Sequence, residues 1–195
     1  MIGMGQININ LAKILRGGFN ANVSYFNRTR NTTLENELGI KYKSLDDILS
    51  DSDVIVISLG LNTETQHFLN VENLRKVKSS AIIINPAHPD LIEPIALYNA
   101  LTTGRLAGCA MDWYYTSADQ DIYGLLKLPD DKFICTSHIA SRTCDAWDNT
   151  DIMAMQNIAD FFETGNCPHI VNPGYWKNTQ ILPKRGNKYS IIIAE

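Results

Sequence analysis

Short apolar runs alternate with segments of helical periodicity along most of this 195-residue chain. The runs are continuous rather than alternating, which is typical of strands buried on both faces of a parallel sheet. They lie at residues 23–26, 53–58, 81–84, 106–111 and 133–135. Because strand-like and helix-like segments follow one another repeatedly, the pattern predicts an α/β fold, a doubly wound parallel sheet with right-handed crossovers.

Segments of helical periodicity lie between and after these runs. They are predicted at residues 45–49, 71–77, 94–103 and 144–164. The last has an apolar side that includes Ile152, Met155 and Phe162, and Gly165 is placed to end it. From residue 173 the chain becomes rich in Lys, Asn, Gly and Pro. We therefore predict one domain over residues 1–172 and a separate tail over residues 173–195.

The chain carries most of a dinucleotide-binding fingerprint almost at its first residue. Gly3 and Gly5 form a Gly-x-Gly turn, and Gln6 and Ile7 open an apolar-periodic segment that ends before the Gly17–Gly18 pair. Such a turn holds a pyrophosphate when a strand delivers it and a helix follows, since the helix N–H groups then face the phosphates. Only two residues precede Gly3, so the first strand of this Rossmann-type sheet is expected to be largely missing.

Composition excludes several classes of partner. The formal net charge is −4 and no basic stripe is present, which disfavours a nucleic-acid partner. No apolar run approaches the about 20 residues needed to span a membrane, and no signal-peptide pattern is found. The four cysteines show no metal-ligand spacing. We expect a cytoplasmic protein with free thiols, no bound metal and no membrane contact.

The residues after the second apolar run bear on the choice of cofactor. An Asp or Glu about 20 residues beyond the glycines would accept hydrogen bonds from ribose hydroxyls and repel a 2′-phosphate. This chain has Asn27, Arg28, Thr29 and Arg30 there. A neutral residue with two guanidinium groups favours NADP over NAD. The alternative is that both arginines are solvated loop charges.

Several ordered motifs, from Gly3 to about Pro173, resemble the nucleotide-binding domain of D-isomer-specific 2-hydroxyacid dehydrogenases. They are Ser-Leu-Asp-Asp-Ile-Leu at 44–49, Ser-Asp-Val at 52–54, Thr-Glu-Thr at 63–65, Gly-Arg-Leu-Ala-Gly-Cys-Ala-Met-Asp at 104–112 and Thr-Ser-His-Ile-Ala-Ser at 136–141. The last is similar to the family segment that carries the catalytic histidine. Members of that family usually begin with a substrate domain, which is expected to be absent from this chain.

The resemblance implies a site for hydride transfer between a nicotinamide and a 2-hydroxyacid or 2-ketoacid. His138 takes the place of the family's general acid and base, a role that suits a group titrating near neutral pH. Asp112 matches the aspartate that contacts the nicotinamide carboxamide. The other expected cofactor contacts follow strands or the catalytic segment: Ser58, Leu59, Gly60, Pro86, Ala87 and Ala140.

Three positions depart from the family pattern. His88 stands where the family has the arginine that binds the substrate carboxylate, so only a protonated imidazole would replace that charge. The acid that pairs with the histidine falls on Ser117, with Asp119 or Asp121 as substitutes if the loop shifts. The third small residue of the fingerprint is Asn8, which is expected to loosen the helix against the sheet.

Three functional hypotheses follow. The first is an NAD(P)-dependent 2-hydroxyacid dehydrogenase, here reduced to its cofactor-binding domain and not catalytically competent alone. The second is a non-catalytic dinucleotide-binding protein whose nucleotide occupancy controls association with a partner. The third is a decayed or truncated gene product. The resemblance also implies a homodimer formed through this domain.

Overall fold

The computed structural model describes residues 1–114, 121–165 and 167–170. It divides into two compact units, residues 1–140 and residues 141–195. The predicted tail at 173–195 lies outside the described residues. The elements of the first unit are α1 Gln6–Phe19, β1 Ser24–Tyr25, α2 Thr32–Leu38, β2 Lys41–Tyr42, α3 Leu45–Asp51, β3 Val54–Val56, α4 Val71–Lys76, β4 Ile82–Asn85, α5 Pro94–Thr102, β5 Gly108–Met111 and β6 Phe133–Cys135.

The predicted strand runs each contain a strand, and most helices lie where periodicity placed them. Two short elements, α2 and β2, were not predicted, because the stretch that contains them is mostly polar and has few apolar positions to show a period. Helix α1 continues through the Gly17–Gly18 pair to Phe19. Its end is set instead by Asn20, which adopts the left-handed conformation (φ 50°) and donates its N–H to Leu15 O.

The strands form a parallel sheet in which residues 1–3 take the central position. Strands β1 and β2 pair on one side, and β3, β4, β5 and β6 pair in that order on the other. Ile2 bridges both groups in parallel. On the β3 side its N–H donates to Val56 O (2.8 Å) and its carbonyl accepts from Ser58 N (2.9 Å), and on the β1 side Phe26 N donates to Met1 O and Gly3 N donates to Phe26 O (both 2.9 Å). The first strand is therefore short, as expected, but present, and it joins the two groups of strands into one sheet.

Two hydrophobic cores cover opposite faces of this sheet. Ile55 and Ile57 belong to the larger core with α3, α4 and α5, whereas Val56 belongs to the smaller core with α1 and α2. Since successive residues of a strand point to opposite faces, the two cores are separated by the sheet. This arrangement places helices on both faces of a parallel sheet, as the alternation of elements predicts.

Part of the α1 face carries exposed apolar side chains. Val54, Ile82, Ile84 and Ile134 are each 37–52% exposed. Register places them together, because Val54 is opposite Ile82, and Ile84 and Ile134 both neighbour Ala110. They form a continuous apolar surface on β3, β4 and β6, which we call the open sheet face.

The second unit is described chiefly by one helix, α6 Cys144–Thr164. Its bounds are those predicted, with the Thr143 hydroxyl accepting the N–H of Ala146 at the start and Gly165 (φ 73°) at the end. None of its residues is buried in the structure. No helix among the described residues combines the length and the apolar character needed to cross a membrane.

The amino group of Met1 lies within the fold. It donates to Ser24 O at 2.8 Å, and it lines a cavity of about 540 Å³ at the amino ends of β1 and β3. Burial lowers the pKa of this ammonium from its ordinary value of 8.0 to about 6. The charged form is therefore disfavoured in the folded chain.

Folding stability of the chain that begins with Met1 is expected to rise between about pH 6 and pH 8. Below pH 6 both states carry the charge and burying it destabilises the fold. Above pH 8 neither state carries it, so stability should be higher by about 2 to 3 kcal/mol. Urea unfolding across this range would measure the change. Nα-acetylation removes the titrating amine, so an acetylated chain with the same pH dependence would contradict the prediction.

Candidate active site

Most of the predicted site residues lie at one edge of the sheet. Parallel strands present their carboxyl ends on the same edge, and open α/β sheets bind ligands there. The segments that leave the carboxyl ends of β1, β3, β4, β5 and β6 contain the predicted residues 27–30, 58–60, 86–88, 112 and 138–140. The Gly3–Gly5 turn leaves the central strand at the same edge.

The two fingerprint glycines meet different requirements. Gly3 has φ 86°, and a Cβ there would lie 2.5 Å from Ser58 O, so only glycine fits. A Cβ at Gly5 would meet nothing within 4 Å, which leaves open space before α1. No side chain caps the start of α1 and no acidic residue occupies its first turn. The exposed N-terminus at Gln6 and Ile7 thus suits a pyrophosphate.

Asn8 tightens the turn rather than loosening it. Its side chain is completely buried. Its Nδ2 donates to Gly3 O at 2.7 Å, and its Oδ1 accepts from the Ser58 hydroxyl at 3.1 Å. The expectation of loose packing assumed that Asn8 is only a larger residue than the fingerprint has. The amide instead joins the turn, α1 and the end of β3, so Ser58 supports the turn.

A cavity of about 440 Å³ lies between the loops that follow β1 and β3. Its lining includes five predicted cofactor contacts: Asn27, Arg28, Thr29, Leu59 and Gly60. Phe26 and Phe68 add an apolar wall. Asn27 Nδ2 donates to Thr29 O at 3.0 Å, which fixes the amide. A cavity with one apolar wall and several polar side chains, close to the glycine turn, is suited to an adenosine.

The Arg30 side chain contacts Glu35 and Tyr42 rather than the cavity. Its guanidinium forms two hydrogen bonds of 2.8 Å to the Glu35 carboxylate and lies 5.6 Å from the centre of the Tyr42 ring. The hydrogen bond from Arg30 is the main reason that the pKa of Glu35 is lowered. Arg30 does not line the cavity, so of the two predicted arginines only Arg28 is placed to meet a ligand in it.

Asp112 organises the loop that carries His138. Its Oδ1 accepts from the Thr136 hydroxyl (2.6 Å) and the N–H of Ile139 (3.1 Å), and its Oδ2 accepts from the N–H of Ala140 (2.9 Å). These bonds, led by that from Thr136, hold the pKa of Asp112 below its ordinary value. The carboxylate therefore stays ionised and clamps residues 136–140, while Ala140 contributes its backbone.

His138 and His88 both contact the ring of Trp113. The His138 ring stacks on Trp113 with centroids 5.3 Å apart and planes 16° apart, and the His88 ring meets Trp113 edge-on at 4.7 Å. His138 adopts φ 58°, an uncommon conformation for a side chain with a Cβ. Its N–H donates to Asp112 O at 2.5 Å, which helps to hold that conformation.

The segment 85–88 is shaped by buried Asn85. Its side chain donates to His88 O (2.8 Å) and accepts the N–H of Ala87 (3.1 Å), which also fixes Pro86 between them. The Nδ1 atom of His88 accepts the N–H of Asp90 at 3.1 Å. In this arrangement Nδ1 is an acceptor, which leaves Nε2 as the ring atom that can donate to a ligand. Asp90 Oδ2 also lies 4.0 Å from this Nδ1 atom.

The predicted acid partner of His138 is not found among the described residues. No carboxylate there forms a hydrogen bond or ion pair with its imidazole. Asp121 accepts from the Tyr114 hydroxyl and from the N–H groups of Leu125 and Leu126, so it supports the local chain instead. Ser117 and Asp119 lie outside the described residues.

Two residues of this site were missed by sequence reasoning. Trp113 directly follows Asp112 at the end of β5, a position that indicates proximity to the site. Asn85 ends β4 as a buried polar residue, and it was read only as part of the segment around His88. Contacts among three strand ends are needed to show that they shape the same place.

Comparison with known proteins identifies relatives for this arrangement. Residues 1–140 match the family described as D-isomer specific 2-hydroxyacid dehydrogenase, NAD binding domain. A glyoxylate reductase of Pyrococcus horikoshii is 34% identical over 174 residues, which cover 88% of this chain and 50% of that protein. A probable 2-ketogluconate reductase of Dictyostelium discoideum is 35% identical over 158 residues, covering 81% and 47% respectively.

Solved structures of similar proteins share the fold. A glyoxylate reductase from Paecilomyes thermophila superposes with a TM-score of 0.75 at 32% identity, covering 85% of this chain and 49% of that one. The apo D-lactate dehydrogenase from Escherichia coli gives 0.73 at 28% identity, covering 86% and 52%. The chain thus spans about half the length of the relatives it matches.

Alanine substitution is expected to have different effects on stability at Gly3 and at Gly5. Gly3→Ala forces a clash with Ser58 O at positive φ and should lower the free energy of unfolding by about 2 to 4 kcal/mol. Gly5→Ala places a methyl group in open space, so stability should change by less than about 1 kcal/mol. Dinucleotide affinity should nevertheless fall about tenfold or more, because that space faces the helix N-terminus. Urea unfolding and cofactor titration of both variants test this, and equal stabilities would contradict it.

Proposed function

Since the chain belongs to the D-isomer specific 2-hydroxyacid dehydrogenase family, we propose that it is the cofactor-binding part of an NAD(P)-dependent oxidoreductase. The reaction is hydride transfer between the nicotinamide and a 2-hydroxyacid or 2-ketoacid. The relatives named as glyoxylate, ketogluconate and lactate enzymes support this substrate class. Because the chain spans about half of those proteins, activity is assigned to a protein that also supplies substrate-binding residues.

One observation supports the proposal above others. The same sheet edge carries a glycine turn with space for phosphates and a histidine whose loop is held by Asp112. At one end, Gly5 and the uncapped start of α1 leave space for phosphates. Further along, Asp112 holds the His138 loop through three hydrogen bonds. A dinucleotide bound along this edge would bring its nicotinamide towards His138.

The residues present fit a nicotinamide dinucleotide. Side chains of this chain would supply the proton transfer and one contact to the substrate. When bound, the nicotinamide supplies or accepts the hydride. During ketoacid reduction, the His138 imidazolium donates a proton to the ketone oxygen, and during oxidation the neutral ring accepts it. Trp113 and Asp112 hold that ring in place. His88 offers one Nε2 donor to the substrate rather than the charged fork of an arginine.

The preferred cofactor is NADP. Arg28 lines the cavity beside neutral Asn27, so a 2′-phosphate there would meet a guanidinium and no carboxylate at position 27. Arg30 contributes indirectly, by pairing with Glu35 and ordering the start of α2.

A non-catalytic dinucleotide-binding protein is the second candidate. It is favoured by an imidazole in place of an arginine at position 88, with its Nδ1 already bonded to Asp90 N, and by the hydrogen bonds of Asp121 to Tyr114 and the backbone. Both leave His138 without the charged partners that the family uses. In this case nucleotide occupancy would control association with another protein.

We also propose a homodimer in the cytoplasm. The open sheet face supplies an apolar surface of the kind that interfaces cover. None of the four cysteines, all within the described residues, forms a disulfide, which suits a reducing compartment. Sedimentation velocity at micromolar concentration tests the dimer, and Ile84→Asp should shift any dimer towards monomer.

Cofactor titration tests the NADP preference. Arg28→Ala should weaken NADPH binding about 10- to 100-fold, because a charge-assisted phosphate contact is lost, with little effect on NADH. Arg30→Ala serves as the matched control, since its guanidinium bonds Glu35 and should affect NADPH much less. Nicotinamide fluorescence would report both affinities. Equal NADPH and NADH affinities, unchanged by Arg28→Ala, would contradict the preference.

Catalysis is tested in a protein that joins this chain to a substrate domain. His138→Ala should lower the rate of 2-ketoacid reduction about 100-fold or more and leave cofactor affinity nearly unchanged. His88→Arg should maintain or improve the KM for ketoacids, because a guanidinium binds the substrate carboxylate with a permanent charge and two donors. Steady-state rates across pH measure both. A His138→Ala variant as fast as its parent would favour the non-catalytic candidate.

A further inference from the structure

A second charged side chain, of opposite sign, lines the cavity beside Arg28. Glu64 lies on the loop after β3, and Arg28 on the loop after β1, and both line the cavity. Their closest approach is 3.8 Å, between Arg28 Nη1 and Glu64 Oε2. The side chains are 91% and 78% exposed, so the pair is screened by water and readily yields to a ligand.

The backbone at Glu64 is fixed by its neighbours. Asn62 Oδ1 accepts the N–H groups of Glu64 (2.8 Å) and Thr65 (3.0 Å). The Thr65 hydroxyl donates to Gly60 O (2.7 Å) and accepts from Asn62 N (2.8 Å). These bonds hold residues 60–65 as a compact turn, so the Glu64 backbone is fixed at the cavity wall, from which its side chain reaches Arg28.

This geometry gives Glu64 different effects on the two cofactors. A 2′-phosphate drawn to Arg28 would carry nearly two negative charges to within reach of the carboxylate, which would repel it. A 2′-hydroxyl would instead find an acceptor there, and Asn27 supplies no carboxylate of its own. We propose that Glu64 is a determinant of cofactor choice and that its charge weakens the NADP preference created by Arg28. The proposal rests on the cofactor-binding function given above.

The test compares NADPH and NADH binding by the 195-residue chain with and without the carboxylate. Glu64→Gln maintains the size of the side chain and removes its charge. It should tighten NADPH binding about three- to tenfold at low salt and weaken NADH binding less than about threefold. Glu37→Gln, an exposed acid that does not line the cavity, is the charge-matched control and should change neither affinity. The gain for NADPH should shrink as salt screens the repulsion.

Each result is decisive. A ratio of NADPH to NADH affinity that rises in Glu64→Gln but not in Glu37→Gln supports the proposal. If both cofactors bind but Glu64→Gln leaves that ratio unchanged, Glu64 is not a determinant and the cofactor-binding function stands. If the wild-type chain binds neither cofactor while its circular dichroism shows a folded α/β protein, the proposed function fails and the role of Glu64 with it.

Discussion

The arrangement of this protein depends on the pairing of residues 1–3 with strands on both sides. Ile2 is fully buried, and its backbone bonds join Val56 on β3 and Ser58 just after β3, while Gly3 donates to Phe26 O just after β1. Without these bonds β1–β2 and β3–β6 would be separate sheets with unpaired inner edges. Ile2 and Met1 also point to opposite faces, so each hydrophobic core includes one of them.

The same pairing positions the cofactor turn. Gly3 leaves the central strand so close to Ser58 O that no side chain fits, and Asn8 then joins Gly3 to Ser58. The start of α1 is held against the sheet with its N–H groups facing solvent. The phosphate binding that we propose for this edge thus depends on close packing at the centre of the sheet.

A second fixed point lies at the end of β5. The Asp112 carboxylate accepts three hydrogen bonds from residues 136–140 and thereby holds His138 in a left-handed conformation. Family resemblance predicts a contact between Asp112 and the cofactor, and the structure shows a different role, in which its carboxylate holds the loop of residues 136–140. Trp113, its neighbour, connects His138 to His88, so two loops from different strands share one aromatic contact.

The sequence by itself determined the class of fold, the order of the main strands along the chain and the segments that follow their carboxyl ends. Continuous apolar runs and helical periodicity are local signals, and they placed α6 to the residue. Motifs likewise identified His138 and the glycine turn. Short-range patterns cannot show which side chains meet across the sheet. Only the tertiary structure showed that Arg30 bonds Glu35, that Asn8 is a buried link and that Glu64 faces Arg28. Each of these contacts depends on the register and packing of separate strands, a property of the assembled sheet.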